Sequence, residues 1–165
     1  MINSNTPLSE KDEWRTPPEL FKKLDDEFDF YVDVCTNGPE NALCNIFFTK
    51  DRCALNHQWT AYNYDHASCF INPPYSQTQA FLLKAEEQAK KHNITVVALV
   101  NANTDTKWFA RAAKTANEIR LLTGRVQFLK PDGSSSKNGN AKGQCVIVWR
   151  GRCDTPCKIT VVNIK

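Results

Sequence analysis

With 165 residues, 41% of them hydrophobic and 24% charged, the chain has an ordinary globular composition and enough length to bury its own core as one domain, 1–165. No run approaches the roughly 18 apolar residues of a membrane span. The polar N-terminus also lacks the apolar core of a signal peptide, so a membrane-spanning or exported protein is not expected. The net charge of +3 conceals an asymmetry: residues 1–106 carry 9 Lys/Arg against 15 Asp/Glu, and residues 107–165 carry 12 against 3. A basic C-terminal part suits a polyanionic partner.

Residues 1–12 read as a loose arm. In Glu13-Trp14-Arg15-Thr16-Pro17-Pro18-Glu19, Thr16 has the character of an N-cap, with Pro17 at the first helical position and Glu19 closing a capping box. The helix is predicted to run to about Glu27, with Leu20, Phe21, Leu24 and Phe28 on its apolar face. Trp14, ahead of the cap, is either a hydrophobic staple or the wall of a small-molecule pocket. Phe28 to Cys35 reads as the first core strand, with Asp33 near its carboxyl end before a Thr36-Asn37-Gly38-Pro39 turn. A carboxylate there is placed to hold a cationic or hydroxyl-bearing part of a cofactor, or else to cap the turn. Residues 41–51 suggest a helical turn and then a strand, Ile46 to Thr49. No Gly-x-Gly-x-x-Gly occurs, so a dinucleotide fingerprint is absent.

Ser68 to Ile71 reads as a buried strand that stops at Asn72-Pro73-Pro74-Tyr75, because consecutive prolines remove two amide donors and fix φ. Asn72 is therefore expected at a strand's carboxyl end, where open α/β sheets place their ligands. A helix follows, with Ser76 and Gln79 at capping-box spacing. Thr95 to Val100 is the β-branched run of a buried parallel strand. Asn103-Thr104-Asp105 is expected to cap a helix with Trp108, Phe109, Ala112 and Ala116 inward. Ile119–Leu122 and Arg125–Leu129 suggest a hairpin about Thr123-Gly124. Residues 131–143 form a flexible basic loop, Cys145–Trp149 a last core strand, and Lys158–Ile164 an edge strand. Strands alternating with amphipathic helices and then a β-rich end predict an α/β open sheet, mostly parallel with an antiparallel C-terminal hairpin.

The chemistry lies in Asn72-Pro73-Pro74-Tyr75. The Asn72 carbonyl can accept a hydrogen bond from an exocyclic NH2, and the Pro73 backbone carbonyl, held rigidly by Pro74, can accept a second. These bonds favour the pyramidal amine that forms as the lone pair leaves conjugation, so they act on the transition state. Tyr75 offers a flat face on which an extruded base can stack. The plainer reading is a strand breaker followed by a core tyrosine. The seven cysteines, at 35, 44, 53, 69, 145, 153 and 157, are read as reduced structural thiols in a cytoplasmic setting. Cys153 and Cys157 have no matching second ligand pair, so no metal is expected.

Taken in order, Asp12-Glu13-Trp14-Arg15-Thr16-Pro17, Phe30-Tyr31-Val32-Asp33-Val34, Asn41-Ala42-Leu43-Cys44, Phe48-Thr49, Leu55 with Trp59, Asn72-Pro73-Pro74-Tyr75-Ser76, Thr104-Asp105-Thr106-x-Trp108-Phe109 and Gly124-Arg125-Val126-x-Phe128 resemble the phage-type DNA N-6-adenine methyltransferase (Dam) family. The resemblance spans roughly Asp12 to Trp149. It implies a Rossmann-like methyltransferase fold, S-adenosylmethionine as cofactor and adenine in double-stranded DNA as substrate, in a phage or prophage setting within a bacterial cell. Carried over by position, it makes Asn72, Pro73, Pro74 and Tyr75 catalytic, and gives Asp33 the methionine and ribose end of the cofactor. Trp14, Thr16 and Pro17 would close that pocket, and Asp51 with Leu55 would lie at the adenosine. Here the sequence reads Asp51-Arg52-Cys53-Ala54-Leu55, where the family often has a glycine, and Asp33 is not followed by a run of small residues. Ser76, Arg125, Lys130, Lys137 and Lys142 are the candidates for nucleic-acid contact. Asn-Pro-Pro-Tyr also serves methyltransferases of RNA adenine and of protein glutamine, and a non-catalytic DNA-binding relic is a third reading. Recognised sequence and oligomeric state are left open.

Overall fold

The computed structural model describes residues 7–60, 67–135, 141–151 and 154–164. Helices α1 (Leu8–Lys11) and α2 (Pro18–Phe28) precede the short strands β1 (Val32–Asp33) and β2 (Ile46–Phe47). Strand β3 (Ser68–Ile71), helix α3 (Thr78–His92), strand β4 (Thr95–Asn101) and helix α4 (Lys107–Thr115) alternate through the middle. Strands β5 (Glu118–Thr123), β6 (Gln144–Arg150) and β7 (Lys158–Asn163) complete the chain.

All seven strands join one sheet in the order β2-β1-β3-β4-β6-β5-β7. β1, β2, β3 and β4 run parallel, β6 is antiparallel to both neighbours, and β7 is parallel to β5. The expected α/β architecture, with its antiparallel pair near the C-terminus, is what the chain adopts. The sheet is covered on both faces, and strand alternation sorts its side chains. Cys69, Ile71, Val96, Ala98, Val100 and Ile147 meet Phe81, Leu82 and Ala85 of α3 and Phe109 and Ala112 of α4. Phe70, Val97, Leu99, Val146 and Val148 meet Leu20, Phe21, Leu24 and Phe28 of α2. Burial on both faces explains why β3, β4 and β6 appear in the sequence as unbroken apolar runs. Among the described residues, no helix is long and apolar enough to cross a membrane.

Several local expectations are corrected. Helix α2 begins one residue late, at Pro18. Pro17 stays extended (φ −60°, ψ 132°) because a residue preceding proline is excluded from the helical region, and no side chain caps the helix. Phe28 closes α2 rather than opening a strand, and Asp29 turns the chain at φ 50°. Ser76 and Gln79 form no capping box: a 3-10 turn, Tyr75–Gln77, intervenes, and the Ser76 hydroxyl is engaged elsewhere. For α4 the cap is Thr106, whose hydroxyl accepts from Phe109 N at 3.3 Å. Arg125–Leu129 is not a hairpin strand, because β6 takes the place beside β5. The segment instead buries Val126 and Phe128 against the α2 side of the sheet. The first 12 residues are not wholly loose, since Leu8–Lys11 is helical and Asp12 is anchored to Ser76.

Candidate active site

From β1 the chain crosses outward to β2, and β3 returns to the other flank of β1. Strand order therefore reverses between β1 and β3, and at such a point the two adjacent carboxyl ends leave a crevice between their diverging loops. A shallow cleft, open to solvent, lies there. Asp33, ending β1, and Asn72, following β3, line it together with Trp14, Thr16 and the underlying Phe70. Phe70 is itself fixed by edge-on packing with Phe21, ring centroids 5.2 Å apart.

Asp33 is 2% exposed. Its Oδ1 accepts from Cys35 N at 3.2 Å and its Oδ2 from Leu43 N at 3.1 Å, which pins the loop between β1 and β2. Burial raises the carboxyl from 3.8 to about 6, against the opposing pull of the Leu43 and Cys35 amides. No ion pair reaches it among the described residues. Near neutral pH the site thus holds a buried carboxylate without a counter-cation, an arrangement that favours a cationic ligand. Cys35 also lines the cleft, but burial pushes its thiol well up, so it is no thiolate nucleophile.

Two further donors and acceptors are uncommitted. The Trp14 indole N–H is buried without a partner, and the Asn72 side-chain amide makes no hydrogen bond among the described residues. A buried indole N–H normally finds an acceptor, so an anionic or carbonyl-bearing ligand group suits this wall. Pro73 is buried, while Asn72, Pro74 and Tyr75 are half-buried, so the motif leaves the strand end as a rigid, partly accessible corner. The donor set (one buried carboxylate, one orphan indole N–H, one free amide) fits a zwitterionic, cation-bearing cofactor such as S-adenosylmethionine.

Of the sequence-derived candidates, the structure brings Trp14, Thr16, Asp33 and Asn72 to this cleft and places Pro73, Pro74 and Tyr75 directly beside it in the chain. Pro17, Asp51 and Leu55 do not line it. Asp51 is exposed in the turn after β2, and Leu55 packs on the core from the 3-10 turn Ala54–Asn56. Ser76 gives both its amide and its hydroxyl to Asp12. Arg125 is exposed and donates to Ala141 O at 2.8 Å, bracing the base of the basic loop. Lys130 is half-buried and Lys142 exposed, while Lys137 lies outside the described residues. Arg15, Asn37, Asn41 and Leu43 line the cleft although sequence reasoning gave them no role. Leu43 contributes a backbone amide, which leaves no signature in residue type.

The chain is 33% identical over 151 residues to a DNA N-6-adenine-methyltransferase of Haemophilus phage HP1 (strain HP1c1), covering 90% of this chain and 84% of that protein. It is 28% identical over 162 residues to a protein of the same description from Escherichia phage T1, covering 89% and 66% of the two chains. A family model described as DNA N-6-adenine-methyltransferase matches residues 3–165. With the match running the length of the sheet and both strand ends of the cleft inside it, the chain belongs to the DNA N-6-adenine-methyltransferase (Dam) family.

Proposed function

We propose that the protein is an S-adenosylmethionine-dependent methyltransferase that modifies the exocyclic amine of adenine at specific sites in double-stranded DNA. The observation that carries this reading is the meeting of Asp33 and Asn72 in one cleft at the reversal of strand order. When bound, the cofactor supplies an electrophilic methyl group. Asp33 would hold the cofactor's ammonium group, the free indole N–H of Trp14 would donate to its carboxylate, and Thr16 would close the same wall.

The remaining chemistry belongs to the strand end after β3. Asn72 accepts one N–H of the adenine amine through its carbonyl, and the Pro73 carbonyl accepts the other. Both acceptors strengthen as the nitrogen becomes pyramidal and cationic, which is where a rate gain arises. The amine needs no prior deprotonation, because its proton becomes acidic only as the new N–C bond would replace the methyl–sulfonium bond, and it would then pass to water. Tyr75 stacks on the ring of a base extruded from the duplex, since the amine's lone pair is inaccessible in the helix. Positioning therefore does most of the work. The excess of Lys/Arg beyond residue 106 favours a nucleic-acid acceptor over protein glutamine.

The test offers tritiated S-adenosylmethionine with duplex DNA, structured RNA and a glutamine-bearing peptide as competing acceptors. Label entering DNA and suppressed only by excess unlabelled duplex is the expected result. Label in RNA or peptide would transfer the same chemistry to another acceptor. Absence of cofactor binding by calorimetry would leave a non-catalytic relic.

A further inference from the structure

The segment Asp12–Thr16 is tied to the ends of three separate strands. The Asp12 carboxylate accepts from Ser76 N at 3.0 Å through Oδ1 and from the Ser76 hydroxyl through Oδ2. The Glu13 carbonyl accepts from the Asn37 side chain in the loop after β1. Arg15 and Leu129 exchange both backbone hydrogen bonds, at 2.8 and 3.0 Å, beyond the end of β5. Between these anchors, Trp14, Arg15 and Thr16 form one wall of the cleft.

Of the three anchors, the Asp12 bond is the informative one. Ser76 directly follows Tyr75 in the 3-10 turn Tyr75–Gln77, whose N-terminus has no side-chain cap of its own. Asp12 comes from 64 positions away in the sequence to take both Ser76 donors, and both residues reach the surface. A charge-assisted, two-point bond of this kind fixes orientation as well as distance. The wall of the cofactor cleft and the turn that carries the base-stacking tyrosine are thereby joined through a single carboxylate.

We propose that Asp12 is a positioning residue that couples occupancy of the cleft to the order of the Tyr75–Ser76 turn. A ligand packed against Trp14 and Thr16 restrains the Asp12–Thr16 strap, and Asp12 passes that restraint to the turn. By linkage, a base held on Tyr75 tightens cofactor binding by the same factor. This inference rests on the function proposed above.

The experiment is hydrogen exchange of the full chain with and without S-adenosylhomocysteine, a probe that needs no knowledge of the DNA sequence recognised. In the wild type, the ligand is expected to slow exchange both at residues 13–16 and 33–43 and at residues 75–78. In Asp12→Ala, protection of 13–16 and 33–43 should persist while that of 75–78 is lost. Turnover on unmethylated genomic DNA should fall about tenfold, with cofactor affinity within about threefold of wild type, the scale of coupling within one hydrogen-bond network. Asp12→Asn, which keeps one acceptor, should lie between. Ser76→Ala, which leaves Asp12 and the strap intact, serves if Asp12→Ala fails to fold and should likewise weaken protection at 75–78. Ligand protection of 75–78 that is undiminished in Asp12→Ala, or in Ser76→Ala where Asp12→Ala fails to fold, or that is absent in the wild type while the cleft is protected, overturns the coupling. No protection anywhere in the wild type would instead remove the cofactor reading on which the coupling stands.

Discussion

Asn72 and Asp33 sit at neighbouring strand ends but face different tasks, and substitution separates them. Truncation of Asn72 to alanine removes an acceptor that strengthens only as the amine becomes cationic. Turnover should fall about 100-fold or more with cofactor affinity nearly unchanged. Steady-state rates and calorimetry on the same preparation check this, and a proportionate loss of cofactor binding would contradict it. Asp33 gives a pH signature. Burial lifts its carboxyl from 3.8 to about 6, so the folded chain keeps this proton to higher pH than the unfolded chain. The stability contributed by the protonated form is complete below the unfolded value and is lost as pH rises through about 6. A cationic ligand binds the ionised form, so S-adenosylmethionine affinity should rise between about pH 5 and about pH 7, with proton release. In Asp33→Asn, affinity should be weak and this pH dependence flat. Calorimetry in buffers of different ionisation enthalpy reports both quantities, and an unchanged pH slope in Asp33→Asn would exclude the residue from the site.

Elements show which parts of the fold local sequence can announce. β3 is legible because both its faces are buried and Pro73-Pro74 must end it, so one continuous apolar run has one interpretation. That same punctuation places Asn72 in the cleft. Arg125–Leu129 is legible only by half. The alternation of Val126 and Phe128 reports which side is buried, but not whether a strand or a helix covers it. The two side chains join the core that α2 shares with β3, β4 and β6. Phe128, 1% exposed, should therefore behave as a core residue despite lying outside any strand. Phe128→Ala is expected to cost about 3–5 kcal/mol in urea unfolding, and a loss below about 1 kcal/mol would contradict that packing. The strap was the least legible element. Its bonds to Ser76, Asn37 and Leu129 join residues far apart in sequence, and each uses a backbone group that almost any residue type provides. The two helix starts have different origins: Pro18 excludes Pro17 from the helical region and so delays α2, whereas α4 takes Thr106, the last of several adjacent capping-competent residues, as its cap.

Across the whole molecule, the doubly covered sheet leaves the carboxyl ends of β1 and β3 open as the candidate site, and basic residues are concentrated in the C-terminal part of the chain. The basic residues beyond position 106 include Arg125, Lys130 and Lys142, which flank or lie within the long connection between β5 and β6. If these meet phosphates, the logarithm of DNA affinity should fall linearly with the logarithm of salt concentration. Lys142→Ala should then lower the slope by about one without changing which sequence is methylated. An unaltered slope would place the DNA on another face. At the far edge of the sheet, β7 exposes Ile159 (56%) and Val161 (68%), away from the strand ends that form the cleft. Val161→Lys should therefore shift unfolding free energy by less than about 0.5 kcal/mol and leave turnover intact.

The measurement that bears most directly on the chemistry assigned to Asn72 and Asp33 locates the transferred methyl group. Unmethylated duplex DNA is incubated with the protein and tritiated S-adenosylmethionine, then digested to nucleosides and separated. Label co-migrating with N6-methyldeoxyadenosine, and lost with Asn72→Ala, is the expected result. Label on cytosine, or undiminished label with Asn72→Ala, would contradict it.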